Sequence, residues 1–204
     1  SNNTYCQDNE LTWLDWELDE RRQQFLDFVK RLTRIWHTNP VFQRRKFFQG
    51  RSIRGQGVTD ISWFSPDGKD MGDEAWGAGF VKCLGVRLAG DLIGDTDERG
   101  EPIVGDTLLI LMNAHHENLP FRLPATNPEH RWEILLDTAD LAAGPGTMFV
   151  AGDPYSLHGR SVVLLRTRVP EVQPTLSESK VTSLERDARR PAQPAPTPAL
   201  HAVS

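Results

Sequence analysis

The stretch T-L-L-I-L-M-N-A-H-H-E-N-L-P-F-R-L-P, Thr107 to Pro124, decides how this chain is built. Leu108 to Met112 is an unbroken apolar run with the length of a covered strand. Asn113 to Asn118 supplies polar residues and a turn, after which Leu119, Phe121 and Leu123 recur at every second position. An apolar run, a short polar connection and an alternating run read as an antiparallel hairpin at the middle of a sheet. Leu109 and Leu111 then face one side; Leu108, Ile110 and Met112 face the other. Apolar side chains on both faces require cover on both.

Working outward, further strands are expected at Phe47-Phe48, Ile61/Trp63, Val81 to Leu88, Trp132/Ile134/Leu136, Met148 to Val150 and Val162 to Leu165. Turn signals separate them: Gly55-Gln56-Gly57, Ser65-Pro66-Asp67-Gly68, Asp97-Glu98-Arg99-Gly100, Asn127-Pro128, Gly144-Pro145-Gly146 and Gly152-Asp153-Pro154. Short strands at this spacing predict an antiparallel β-sandwich. Asp70 to Trp76 has room for one helical turn.

Ahead of the strands the period changes. Phe25, Phe28, Val29, Leu32, Ile35 and Trp36 form one stripe of an α-helix over Leu18 to Trp36. Asp15 or Asp19 caps its start and Asn39-Pro40 ends it. Arg21, Gln24, Asp27 and Arg31 make its wet side. Residues 1 to 14 are polar and turn-rich, a loop. After Arg168 the composition shifts to Pro, Ala, Ser, Thr and Glu, too little to offset ordering entropy, so 169–204 reads as a disordered tail with a weak helix near Ser183 to Arg190.

Bulk properties exclude several classes. A net charge of −5 argues against a broad nucleic-acid surface. No run approaches the length needed to span a membrane. The start has neither the basic end nor the apolar core of a signal peptide. Cys6 and Cys83 lie too far apart in the sequence for a disulfide scaffold, and a reduced cytoplasmic setting is expected.

Three ordered segments carry a resemblance: Asn2 to Glu10, Asp60 to Gly68 with Asp73-Glu74-Ala75-Trp76, and the Leu108 to Pro124 stretch. Together they resemble the C-terminal part of bacterial glycogen-debranching enzymes, the isoamylase-type glycoside hydrolases of the α-amylase superfamily, over roughly residues 1 to 168. The resemblance implies a mainly β fold. Residues 1–45 become the last βα loop and helix of a truncated (β/α)8 barrel, 46–168 the C-terminal sandwich, and 169–204 the tail. It implies a missing N-terminal barrel domain, and a chain that begins without Met inside a motif fits a fragment. It also places Asn3, Tyr5, Gln7, Asp8 and Asn9 in the loop after the eighth strand, at the rim of the pocket.

Glycosidic cleavage needs paired carboxylates. Asp8 and Glu10 are the pair in a plausible site loop, but the superfamily takes its nucleophile, acid and stabilising Asp from earlier barrel strands whose motifs are absent. No catalytic residue is therefore assigned, and the chain alone is expected to be inactive. Amide and carboxylate groups in the loop can bind sugar hydroxyls; equally, Asp8 and Asn9 can simply brace it. Trp13 and Trp16 read as core anchors of the helix. Trp63, Phe64, Trp76 and Trp132 offer a sugar-binding patch or, more ordinarily, core.

His115-His116-Glu117 invites a metal, but consecutive strand residues point to opposite faces and spacing signals no third ligand, so no metal or cofactor is expected. Cys6 lacks an activating neighbour and reads as a packed loop thiol, Cys83 as core. The expected function is the C-terminal portion of an enzyme hydrolysing α-1,6 branch linkages of glycogen or limit dextrin, its partner a branched α-glucan. The alternative is a non-catalytic sandwich, a carbohydrate-binding or scaffold module. The helix ahead of the sandwich discriminates, because a binding module does not need it.

Overall fold

The computed structural model describes residues 6–13, 15–50, 59–78, 82–125 and 129–168. The tail reading, the weak helix near Ser183, Asn3 and Tyr5, and the turns at Gly55-Gln56-Gly57 and Asn127-Pro128 lie outside these residues. Helix α1 (Glu20–Thr38) comes first, with Asp19 as N-cap accepting from the Arg22 N–H. A carboxylate there satisfies an orphan donor and meets the positive end of the helix dipole. The Asn39 side chain donates to the Ile35 carbonyl and Gln43 donates to those of Trp36 and His37, so the last turn is closed before the 3-10 turn Pro40–Gln43.

The strands are β1 (Ile61–Phe64), β2 (Cys83–Leu88), β3 (Leu108–Asn113), β4 (Leu119–Arg122), β5 (Arg131–Asp137), β6 (Met148–Val150), β7 (Pro154–Leu157) and β8 (Ser161–Arg168), with a short helix α2 (Asp73–Gly77) after β1. Among the described residues they form a six-stranded antiparallel sheet, β1-β2-β3-β8-β5-β6, and a two-stranded sheet, β4-β7. The mainly β, antiparallel architecture is as the sequence predicts. Leu109 and Leu111 share the inner core with Phe121 and Leu157 of the small sheet and with Leu123 just after β4. Gly85 is required there: a Cβ would stand 2.7 Å from the Phe121 ring. Leu108, with Ile110 and Met112 beside it, lies on the outer face against Ile35, Val41 and Ile93.

The central stretch is not a hairpin. β3 pairs with β2 and β8, whereas β4 pairs with β7 in the other layer. Asn113 causes the crossing. Its buried Nδ2 donates to the carbonyls of Glu117, Leu157 and His158, and its Oδ1 accepts from the His115 N–H. That bonding turns the chain out of one sheet and into the next. Pro120 carried the clue, since a residue with no N–H belongs on a short edge strand.

Other expectations are corrected. Phe47-Phe48 is not a strand: Phe47 is exposed, and Phe48 lies under the Arg44 guanidinium at 4.1 Å. Arg44 in turn pairs with the fully buried Asp60, which also accepts from the Gln49 and Gly50 N–H groups. This pins Arg44, Gln49 and Gly50 to the residue just ahead of β1. Pro154, the end of a predicted turn, opens a strand over Pro154–Leu157 that the sequence reading did not include.

Arg31 is not on a wet face. Its guanidinium donates to the carbonyls of Leu135, Leu141 and Ala143 at 2.6, 2.8 and 2.7 Å. A β-bulge between Ile134 and Leu136 sets Leu135 off the regular ladder, which frees that carbonyl for Arg31. Helix α1 is thereby tied to main chain of the sandwich. No helix among the described residues is long and apolar enough to cross a membrane.

Candidate functional site

The described part of the loop that the resemblance places at a pocket rim, residues 6–13, is a compact turn. The Thr12 hydroxyl donates to the carbonyls of Gln7 and Asn9, and the Asn9 side chain accepts from the Leu11 N–H. The Trp13 indole N–H donates to Asp8 at 2.6 Å. Asp8 and Asn9 thus do brace the loop. Gln7, Asp8 and Asn9 come together within it, while Asn3 and Tyr5 are among the residues not described. Cys6 is exposed, not packed, with φ +59°, and Cys83 is buried, its thiol pushed up to about 11 by burial.

Directly after the loop, Trp13, Trp16, Leu18, Phe25, Leu26 and Val29 line an open groove of about 930 Å³ whose polar members include Asp15, Asp19, Arg21 and Arg22. Trp13 and Trp16 are therefore not core anchors: both lie open to solvent, Trp16 at 81%. The apolar stripe of α1 is divided. Ile35 and Phe28 pack on the sheet, whereas Phe25, Val29, Leu32 and Trp36 stay exposed. Leaving such residues in water forgoes about 1.5–3 kcal/mol for each one that full burial would stabilise.

Two further clusters stand apart. Trp63 and Trp76 meet edge to face, centroids 5.4 Å apart, and both are exposed, whereas Phe64 and Trp132 are core. The aromatic quartet of the sequence is thus two buried residues and one surface pair. In the turn from β3 to β4, His115, His116 and Glu117 converge, with one ligand atom from each lying within 4.8 Å of the others. The strand alternation that argued against convergence does not apply, because all three residues lie in the turn. Sequence reasoning passed over Arg31 because a helix wheel cannot show a bulge 104 residues away.

Comparison with known proteins bears on what this arrangement belongs to. The family described as isoamylase, C-terminal, matches residues 60–166, which is β1 through most of β8. A "Glycogen operon protein GlgX homolog" of Mycobacterium tuberculosis is 40% identical over 167 residues, covering 81% of this chain and 23% of that protein. An "Isoamylase" of a Flavobacterium species is 23% identical over 174 residues, covering 81% of this chain and 21% of the relative. A "Glycogen debranching enzyme" of Escherichia fergusonii is 27% identical over 135 residues, covering 66% and 16%. The chain spans less than a quarter of the length of these curated relatives.

Proposed function

The chain belongs to the isoamylase C-terminal family, and on that premise we propose that it is the C-terminal portion of a cytoplasmic glycogen-debranching enzyme hydrolysing α-1,6 branch linkages. In this reading residues 1–45 are the last βα loop and helix of a (β/α)8 barrel, residues 46–168 are the sandwich, and residues 169–204 are a tail. The catalytic carboxylates belong to earlier barrel strands outside these 204 residues. Asn3, Tyr5, Gln7, Asp8 and Asn9 form part of the glucan-contacting rim.

One observation carries the reading. Helix α1 is fastened to the sandwich on the Arg31 side and presents an open apolar face on the other. A helix of a free-standing module would cover that face or make it polar. The preceding barrel is the occupant that suits it, since the relatives carry more than three quarters of their length beyond the matched part.

The test has two arms. The chain alone should release no linear chains from glycogen, and release would overturn the placement of the carboxylates. It should also enhance the fluorescence of a hydrophobic dye, and Phe25→Ser with Trp36→Ser should remove most of that signal. A dye-silent monomer would overturn the barrel assignment.

The exposed Trp63–Trp76 pair favours the second reading, a carbohydrate-binding sandwich without catalysis. Glycogen binding by the chain that Trp76→Ala abolishes and Asp8→Ala leaves intact would support it.

A further inference from the structure

We propose that the turn between β3 and β4 is a binding site for a zinc-class divalent metal ion, held by His115, His116 and Glu117. The inference does not depend on the debranching reading. The Glu117 carboxylate reaches both imidazoles, 3.9 Å from His115 Nδ1 and 3.7 Å from His116 Nε2, and the rings stack at 4.3 Å between centroids. These separations are a little longer than those between ligands of one small ion. All three side chains are exposed or half-buried, which leaves them room to rotate toward one ion.

That main chain is already fixed. Asn113 holds the carbonyl of Glu117 and the N–H of His115. The His115 carbonyl accepts from the Arg160 N–H, and Asn118 accepts from the Gly159 N–H. Gly159 lies so close under the turn that a Cβ there would stand 2.4 Å from the His116 carbonyl oxygen. A turn held at this many points loses little backbone freedom when an ion arrives, which is the condition for a tight site.

The donor set selects the ion. Two imidazoles and one carboxylate form a zinc set, with water in the fourth tetrahedral position. Calcium and magnesium favour oxygen ligands and are poorly served here. Nickel and copper follow the same donors. The ion must take the His115 Nδ1 lone pair that now accepts the Glu117 N–H at 3.1 Å. This gives up one hydrogen bond at an exposed position in exchange for three coordinate bonds.

The full chain carrying Cys6→Ser, which removes an exposed competing thiol, is titrated with zinc chloride by calorimetry and thermal melting. One equivalent should bind and raise the melting temperature. His116→Ala should weaken that binding by about a hundredfold and Glu117→Gln by about tenfold, since losing even an outer-shell partner costs about 10–100-fold in affinity. His116 and Glu117 are exposed, so both variants should keep the parent's circular dichroism. Cobalt(II) should give a visible spectrum that His116→Ala abolishes. Binding that is absent at millimolar zinc, or unchanged in His116→Ala, overturns the proposal.

Discussion

The two faces of the six-stranded sheet are built from the same kinds of residue and treated in opposite ways. On the inner face Leu109, Leu111, Val163 and Leu165 are fully buried beneath Phe121, Leu123 and Leu157. On the outer face Ile35 and Val41 cover the end near Leu88 and Leu108, while Val162 and most of the helix stripe stay open. The inner core is complete from this chain's own side chains. The outer one is covered only in part, so among the described residues the two faces differ in how much apolar surface they leave in water.

The sharpest way to break this contrast is a pair of equal truncations. Phe121→Ala, which empties a closed site beside Gly85, should cost about 3–5 kcal/mol in urea unfolding. Phe25→Ala, 67% exposed, should stay within about 0.5 kcal/mol. Similar costs would mean that the outer helix face is buried in solution and that the two faces do not differ.

A smaller effect tests the join. Arg31→Met keeps length but strips three carbonyls of a charged donor, and should cost about 1.5–3 kcal/mol. Amide exchange should then rise in α1 ahead of the inner strands. Uniform exchange would show that helix and sandwich unfold as one unit regardless of Arg31.

The smallest effect is electrostatic. Burial disfavours the charged form of Glu133, but hydrogen bonds from Arg166, Arg168 and the Gly146 N–H outweigh it and hold its carboxyl below the ordinary carboxylate range. A group depressed in the folded state adds stability that is fully present above its unfolded value, about 4.3, and is lost as pH falls through the folded value. Urea midpoints measured from pH 6 downward should therefore fall less steeply below about pH 4.3 in Glu133→Gln than in the parent. Parallel curves would remove Glu133 from the account.

What was legible in the sequence follows from how local each signal is. The helix, a cap at Asp15 or Asp19 and the Asn39-Pro40 stop are encoded within a few residues, and the structure has the helix and the stop, with Asp19 as the cap. The two-sided burial of Leu108 to Met112 was readable because strand alternation alone sorts those side chains. The partner of β4 was not, because alternation shows which side is buried and not which layer the strand joins. Only the crossing enforced by Asn113 decides that. β7 opens on Pro154, the last residue of the Gly152-Asp153-Pro154 turn signal, so its start reads as part of the turn. In the candidate loop, the bracing by Asp8 and Asn9 could be anticipated from their turn chemistry. A sugar contact depends on groups that meet only in space.

The grip of Arg31 has a consequence for tolerance to change. Its acceptors are main-chain oxygens of residues 135, 141 and 143, which every amino acid carries. The residues that carry those oxygens can be replaced without loosening the attachment, provided the bulge persists, whereas position 31 accepts nothing but a forked cation. One side of this junction is indifferent to spelling and the other depends on a single letter.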